Sequence, residues 1–178
     1  MRSETDKARL EKFMAALGQR VRSEGHIYLT GGATAVLHGW RPMTIDVDIK
    51  PEPEPVGLFE ALAVLKDELD INVELASPDQ FIPPLPAWRE RSIFIARYGQ
   101  LEFFHYDLYG QALAKLQRGH PRDLTDVRAM RRDGLIETEK LRALFQEIRP
   151  QLLRYPAIDP AKFREAVLAF CASVENSG

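Results

Sequence analysis

One cysteine in 178 residues, Cys171, excludes an internal disulfide framework and any cysteine-rich zinc module. It follows Val167, Leu168, Ala169 and Phe170 in an apolar, helix-like run, a poor setting for a catalytic nucleophile. No apolar run approaches the ~20 residues of a membrane span, and the opening MRSETDKARLEKF lacks the apolar core of a secretion signal. A cytoplasmic location without a membrane partner is the expectation. There is no basic excess either: 24 Lys+Arg against 26 Asp+Glu give a net charge of −2, which argues against a general nucleic-acid coat. Internal repeats are absent, and the short PEPEP segment at 51–55 is too brief to be a linker.

What is present is one domain's worth of apolar material, 45% of the chain, with its charge unevenly placed. Residues 1–110 hold 12 Lys+Arg and 17 Asp+Glu, whereas 111–154 hold 10 and 6. An acidic front therefore precedes a basic segment. Amphipathic helices solvating themselves would account for this; so would acidic residues holding a metal and basic ones a polyanion.

Apolar spacings of three and four over 4–24 predict a helix, closed by Gly25. The pattern then changes to a short strand, His26 to Thr30, the turn Gly31-Gly32, and a helix up to Gly39. Thr44 to Ile49 alternates strictly, which sets Ile45, Val47 and Ile49 on one face of a strand and Asp46 and Asp48 on the other. A helix over 56–69, a strand over 71–75, an irregular loop over 78–86 and a hairpin about Tyr98-Gly99 follow. From Asp107 onward helical spacing prevails, over roughly 107–118, 123–133, 138–153 and 159–174. The fold class is α+β: a small mixed sheet with flanking helices over 1–110, and a helical C-terminal part over 111–178 packed on it as one compact unit.

Asp46 and Asp48 are the most informative pair. Two residues apart on a strand, they share a face at a spacing of about 6–7 Å. Like charges so placed repel unless a cation bridges them, and Mg²⁺ is held by one or two carboxylates together with substrate phosphates. A solvated edge-strand face is the plain alternative. Gly31-Gly32 adds to the metal reading, since such a turn lets backbone N–H groups approach a phosphate closely.

These residues resemble a known group. Leu29-Thr30-Gly31-Gly32 followed by Thr44-Ile45-Asp46-Val47-Asp48-Ile49 is similar to the signature of the DNA polymerase β-like nucleotidyltransferase superfamily. Arg41-Pro42-Met43-Thr44 resembles the lead-in of its abortive-infection, AbiEii-like toxin branch. Leu113-Ala114-Lys115-Leu116 and Arg122-Asp123-Leu124-Thr125-Asp126-Val127 are similar to that branch's helical lysine and Arg-Asp-x-x-Asp motifs. The stretch from Ser77 through Asp107 resembles an uncharacterised bacterial family of the same group.

The resemblance implies a nucleotidyltransferase core that uses Mg²⁺ or Mn²⁺ and an NTP. In it Asp46 and Asp48 are the metal ligands, with Gly31, Gly32, Arg41, Thr44, Lys115 and Arg122 toward the nucleotide. Lys115 neutralises phosphate charge, and Asp126 or Asp123 orients Lys115 or the acceptor. For the third carboxylate, a general base in many members, Glu74 is the candidate, with Asn72 on its face and Asp70 at the strand's mouth. The branch further implies a tRNA or protein acceptor and a neutralising antitoxin; a small-molecule acceptor is the other option. A nucleotide- or partner-binding module with an incomplete site and a purely structural subunit are the rival readings, and a surface helix–helix ion pair is the plain alternative for Lys115 and Asp126. Trp40 and Trp88 are expected as core or loop anchors, and His38, His105 and His120 as structural or surface histidines. Oligomeric state is not legible.

Overall fold

The computed structural model describes residues 3–175 and is a mixed α+β structure that divides into two units. The first comprises the chain up to Ser77 together with Ser92–Tyr106; the second comprises Pro78–Arg91 and the chain from Asp107.

A five-stranded mixed sheet forms the first unit, from β1 (Gly25–Thr30), β2 (Asp46–Pro51), β3 (Asn72–Leu75), β4 (Ile93–Tyr98) and β5 (Leu101–His105), in the order β3-β2-β1-β5-β4. β1 runs antiparallel to β2 and parallel to β5; β2 and β3 are parallel, and β4 and β5 form an antiparallel hairpin. Alternation sends Ile27, Leu29, Val47, Ile49, Val73, Leu101 and Phe103 to one face, where all are buried. Their cluster includes Leu10, Phe13, Met14 and Leu17 of α1 (Lys7–Arg20), Ala33 and Val36 of α2 (Gly32–Leu37), and Leu58, Leu62 and Leu65 of α3 (Leu58–Glu68). Registered pairs Thr30 with Asp48, Asp46 with Asn72, and Asp48 with Glu74 therefore lie on the opposite face.

In this unit α1 and β2 differ most tellingly from the sequence pattern. α1 stops at Arg20, and Gly25 opens β1 instead of closing the helix. β2 begins at Asp46, because Thr44 pairs with Thr5 in an isolated bridge; Ile45 is 51% exposed and does not join the apolar face.

The second unit is helical. A single 3₁₀ turn (Pro78–Gln80) falls inside the stretch expected to be irregular, and α4 (Trp88–Arg91) follows it. Then come α5 (Leu108–Arg118), α6 (Pro121–Arg132), α7 (Thr138–Ile148) and α8 (Pro160–Glu175). α6 starts two residues before the expected 123, with Pro121 in its first turn, where a missing N–H costs nothing. α7 gives way to a 3₁₀ segment, Arg149–Arg154, at Pro150, which cannot continue the helix. Asp159 Oδ1 accepts from the backbone N–H groups of Ala161 and Lys162 and so caps α8. Val127, Met130, Leu141, Phe145, Phe163, Val167 and Cys171 are buried in this unit, with the rings of Phe145 and Phe163 4.8 Å apart. No helix is long and apolar enough to cross a membrane among the described residues.

Candidate functional site

The acidic face is built by register. β2 is flanked by β1 and β3, so Asp46 and Asp48 lie on an inner strand and not on a solvated edge; both are half-buried. β3, paired in parallel, sets Asn72 beside Asp46 and Glu74 beside Asp48. The Asn72 side-chain amide donates to Asp46 Oδ1 and, at 3.2 Å, to Glu74 Oε1. Three carboxylates from two adjacent strands thus share one face with a single neutral amide between two of them.

The glycine turn closes on the same face. Gly31 has φ +62° and ψ −129°, a conformation that residues with a Cβ avoid, and a methyl placed on it would lie 3.1 Å from Asp48 Oδ2. At Gly32 a methyl would come within 2.0 Å of Thr44 Oγ1. Thr44 is buried, and its hydroxyl donates to the Asp46 carbonyl at 3.0 Å. Glycine at both positions is therefore what lets the β1–α2 turn reach the Asp48 carboxylate and the lead-in to β2. Because α2 is only six residues long, the half-buried backbone of the turn, more than a helix dipole, is what could approach an anion.

All-oxygen donors of this kind suit a hard cation such as Mg²⁺ or Mn²⁺. Among the described residues no three His, Cys, Asp or Glu side chains form a ready metal cage. Asp46 and Asp48 are the residues that could hold such an ion, with substrate phosphates and water completing its shell.

The structure brings Gly31, Gly32, Thr44, Asp46, Asp48 and Glu74 together in the sheet unit. Arg41 is half-buried just beyond α2, its backbone N–H directed to the Ala35 carbonyl. Two rings stack near it, His38 and Trp40 at 4.7 Å, and His38 lies 4.4 Å from buried His105, whose Nδ1 is 3.1 Å from the Thr34 hydroxyl. Burial, followed by the neighbouring His38, lowers the His105 pKa to about 3, so this imidazole is neutral at physiological pH.

Lys115, Asp123, Asp126 and Arg122 belong to the helical unit. Lys115 Nζ donates to Asp126 Oδ2 at 2.9 Å and Asp123 Oδ1 at 3.4 Å, joining α5 to α6 with all three side chains buried. Arg118 grips both oxygens of Asp123 at 2.7 Å. Burial would raise the Asp123 carboxyl, but its hydrogen bond to Arg118 and the positive charges of Lys115 and Arg118 outweigh that and hold it below the usual carboxylate range. Arg122 is exposed at the start of α6. A second buried pair escaped the sequence pattern: Arg91 binds both oxygens of fully buried Asp107, whose Oδ1 also accepts from the Tyr109 backbone N–H and caps α5. The other omission is the bridging role of Asn72, which only the β2–β3 register reveals.

No curated protein and no solved structure matches the chain. Residues 8–176 match the family described as "Nucleotidyltransferase of unknown function (DUF6036)", which spans all of the acidic face and the whole buried Lys115 network. With the glycine turn, the paired aspartates and nearly the full length accounted for, the chain belongs to this nucleotidyltransferase family.

Proposed function

We propose that the protein transfers a nucleoside monophosphate from an NTP to an acceptor hydroxyl, with Asp46 and Asp48 holding Mg²⁺ or Mn²⁺. The observation that carries this reading is the register that sets Asp46, Asp48 and Glu74 on one face beside Gly31-Gly32. When bound, the cation offsets the charge of the phosphates and polarises the one under attack. The glycine backbone gives the phosphates close approach. Glu74, exposed and on the register row of Asp48, takes the proton of the acceptor hydroxyl. The acceptor oxygen forms its bond to the α-phosphorus as the α–β bridging bond breaks, and pyrophosphate leaves. Positioning and charge neutralisation supply most of the catalysis in reactions of this type.

The finer reading follows the AbiEii-like resemblance: a tRNA or protein acceptor, with an antitoxin that restrains the activity. The same resemblance gives Lys115 a phosphate-neutralising role; in the structure its ammonium is buried between Asp123 and Asp126 of the helical unit. The test is incubation of the full chain with each α-labelled NTP, Mg²⁺ and whole-cell lysate, followed by identification of labelled RNA or protein. Label should appear on a discrete species and vanish with Asp46→Asn or Asp48→Asn, each still folded by circular dichroism. Absence of any metal-dependent NTP binding refutes the proposal. Binding without transfer instead makes the chain a nucleotide-binding module.

A further inference from the structure

We infer that Asn72 is a positioning residue that sets how the acidic face meets a divalent cation, an inference that rests on the metal-dependent reading above. Its amide nitrogen carries two N–H donors, and the structure directs them to different carboxylates, Asp46 Oδ1 and Glu74 Oε1. This follows from register: parallel pairing sets Asn72 beside Asp46, and Glu74 comes two residues later on the same face.

Two effects follow. A neutral donor between two carboxylates relieves part of their repulsion and holds each in one orientation. Groups that orient a metal ligand in this way contribute on the order of 10–100-fold to metal affinity. The second effect is on the kind of ion. With Oδ1 engaged by Asn72, Asp46 has Oδ2 to give a cation, and one-oxygen attachment suits a small octahedral ion. Ca²⁺ is larger and accepts carboxylates through both oxygens in flexible geometry. Asn72 therefore biases the face toward Mg²⁺ and Mn²⁺ and against Ca²⁺, and it does so from a strand that supplies no metal ligand at that position.

The experiment uses the full chain and Mn²⁺ alone, with free Mn²⁺ counted by electron paramagnetic resonance and Ca²⁺ added as competitor. Asn72→Ala should weaken Mn²⁺ binding about 10-fold and narrow the preference for Mn²⁺ over Ca²⁺ in protein still folded by circular dichroism at the assay temperature. Asn72→Thr, a good strand former with one donor where asparagine has two, guards against a folding defect and should show a smaller loss in the same direction. Wild-type-like Mn²⁺ affinity and ion preference in both variants, with Asp48→Asn abolishing binding, overturns the role of Asn72 and leaves the metal-dependent reading standing. Failure of the wild-type chain to take up Mn²⁺ overturns both.

Discussion

Replacing Lys115 by methionine removes the cation between two buried carboxylates while keeping most of the length of the side chain. The side chains of Lys115, Asp123 and Asp126 are only 7%, 4% and 1% exposed, so solvent cannot step in for the lost ammonium. Breaking a buried pair by deleting one member costs about 3–5 kcal/mol. The two acids are not equally affected, since Asp123 keeps both 2.7 Å contacts to Arg118 whereas Asp126 loses an ammonium at 2.9 Å. The expected loss for Lys115→Met is therefore at the lower end, about 3 kcal/mol. Lys115→Met with Asp126→Leu removes the carboxylate along with the ammonium it bound and should recover part of that loss, because an apolar pair of similar volume is commonly as stable as a buried ion pair. Urea denaturation of wild type, both single variants and the double variant measures the coupling. A loss below about 1 kcal/mol for Lys115→Met, a size ordinary for exposed ion pairs, would refute the claim that this network holds α5 to α6.

Three further outcomes are expected. Because the folded His105 pKa lies at about 3, below its ordinary 6.5, the unfolded chain takes up the proton first as pH falls; stability is complete above pH 6.5 and declines between there and about 3. At pH 5 the loss from this residue is about 2 kcal/mol, so His105→Gln should flatten the pH dependence of the urea midpoint between pH 7 and 5 relative to wild type. Gly32→Ala drives a methyl into the Thr44 hydroxyl and should cut metal-dependent NTP binding by 10-fold or more, about 1.4 kcal/mol, as read by calorimetry. Gly18→Ala, whose methyl would lie 2.0 Å from the Tyr98 carbonyl oxygen, should lower stability by about 2 kcal/mol despite alanine's better helix propensity, as read by thermal melting.

Much of this was legible from local pattern. Strict alternation over Thr44 to Ile49 identified β2 and the shared face of its aspartates, and Gly31-Gly32 marked the turn beside them. Ile45 broke the pattern at its start, because the bridge from Thr44 to Thr5 depends on a partner 39 positions earlier in the chain. Sheet order was not legible for the same reason: β1 hydrogen-bonds to β5, and Leu29 is registered with His105, a pairing that no window of ten residues contains. The buried state of His105 and the Asn72 amide bridge depend on those long-range registers too. The start of α8 is legible in Asp159-Pro160, whereas the expected helix over 138–153 runs past Pro150, α6 starts at Pro121 and not at 123, and α1 ends at Val21 in an extended conformation without a glycine.

The sheet unit leaves the sequence at Ser77 and returns only at Ser92. A ribosome that has released residues 1–77 has made Asp46, Asp48 and Glu74, yet β1 still lacks the strand that covers one of its edges. That edge stays open until β5 emerges some 25 residues later, after the first pieces of the other unit have been synthesised. A truncated gene product ending near residue 77 would carry the full acidic face on an unfinished, adhesive sheet. Expression trials of a fragment carrying the acidic face must therefore extend past His105 to include all five strands of the sheet.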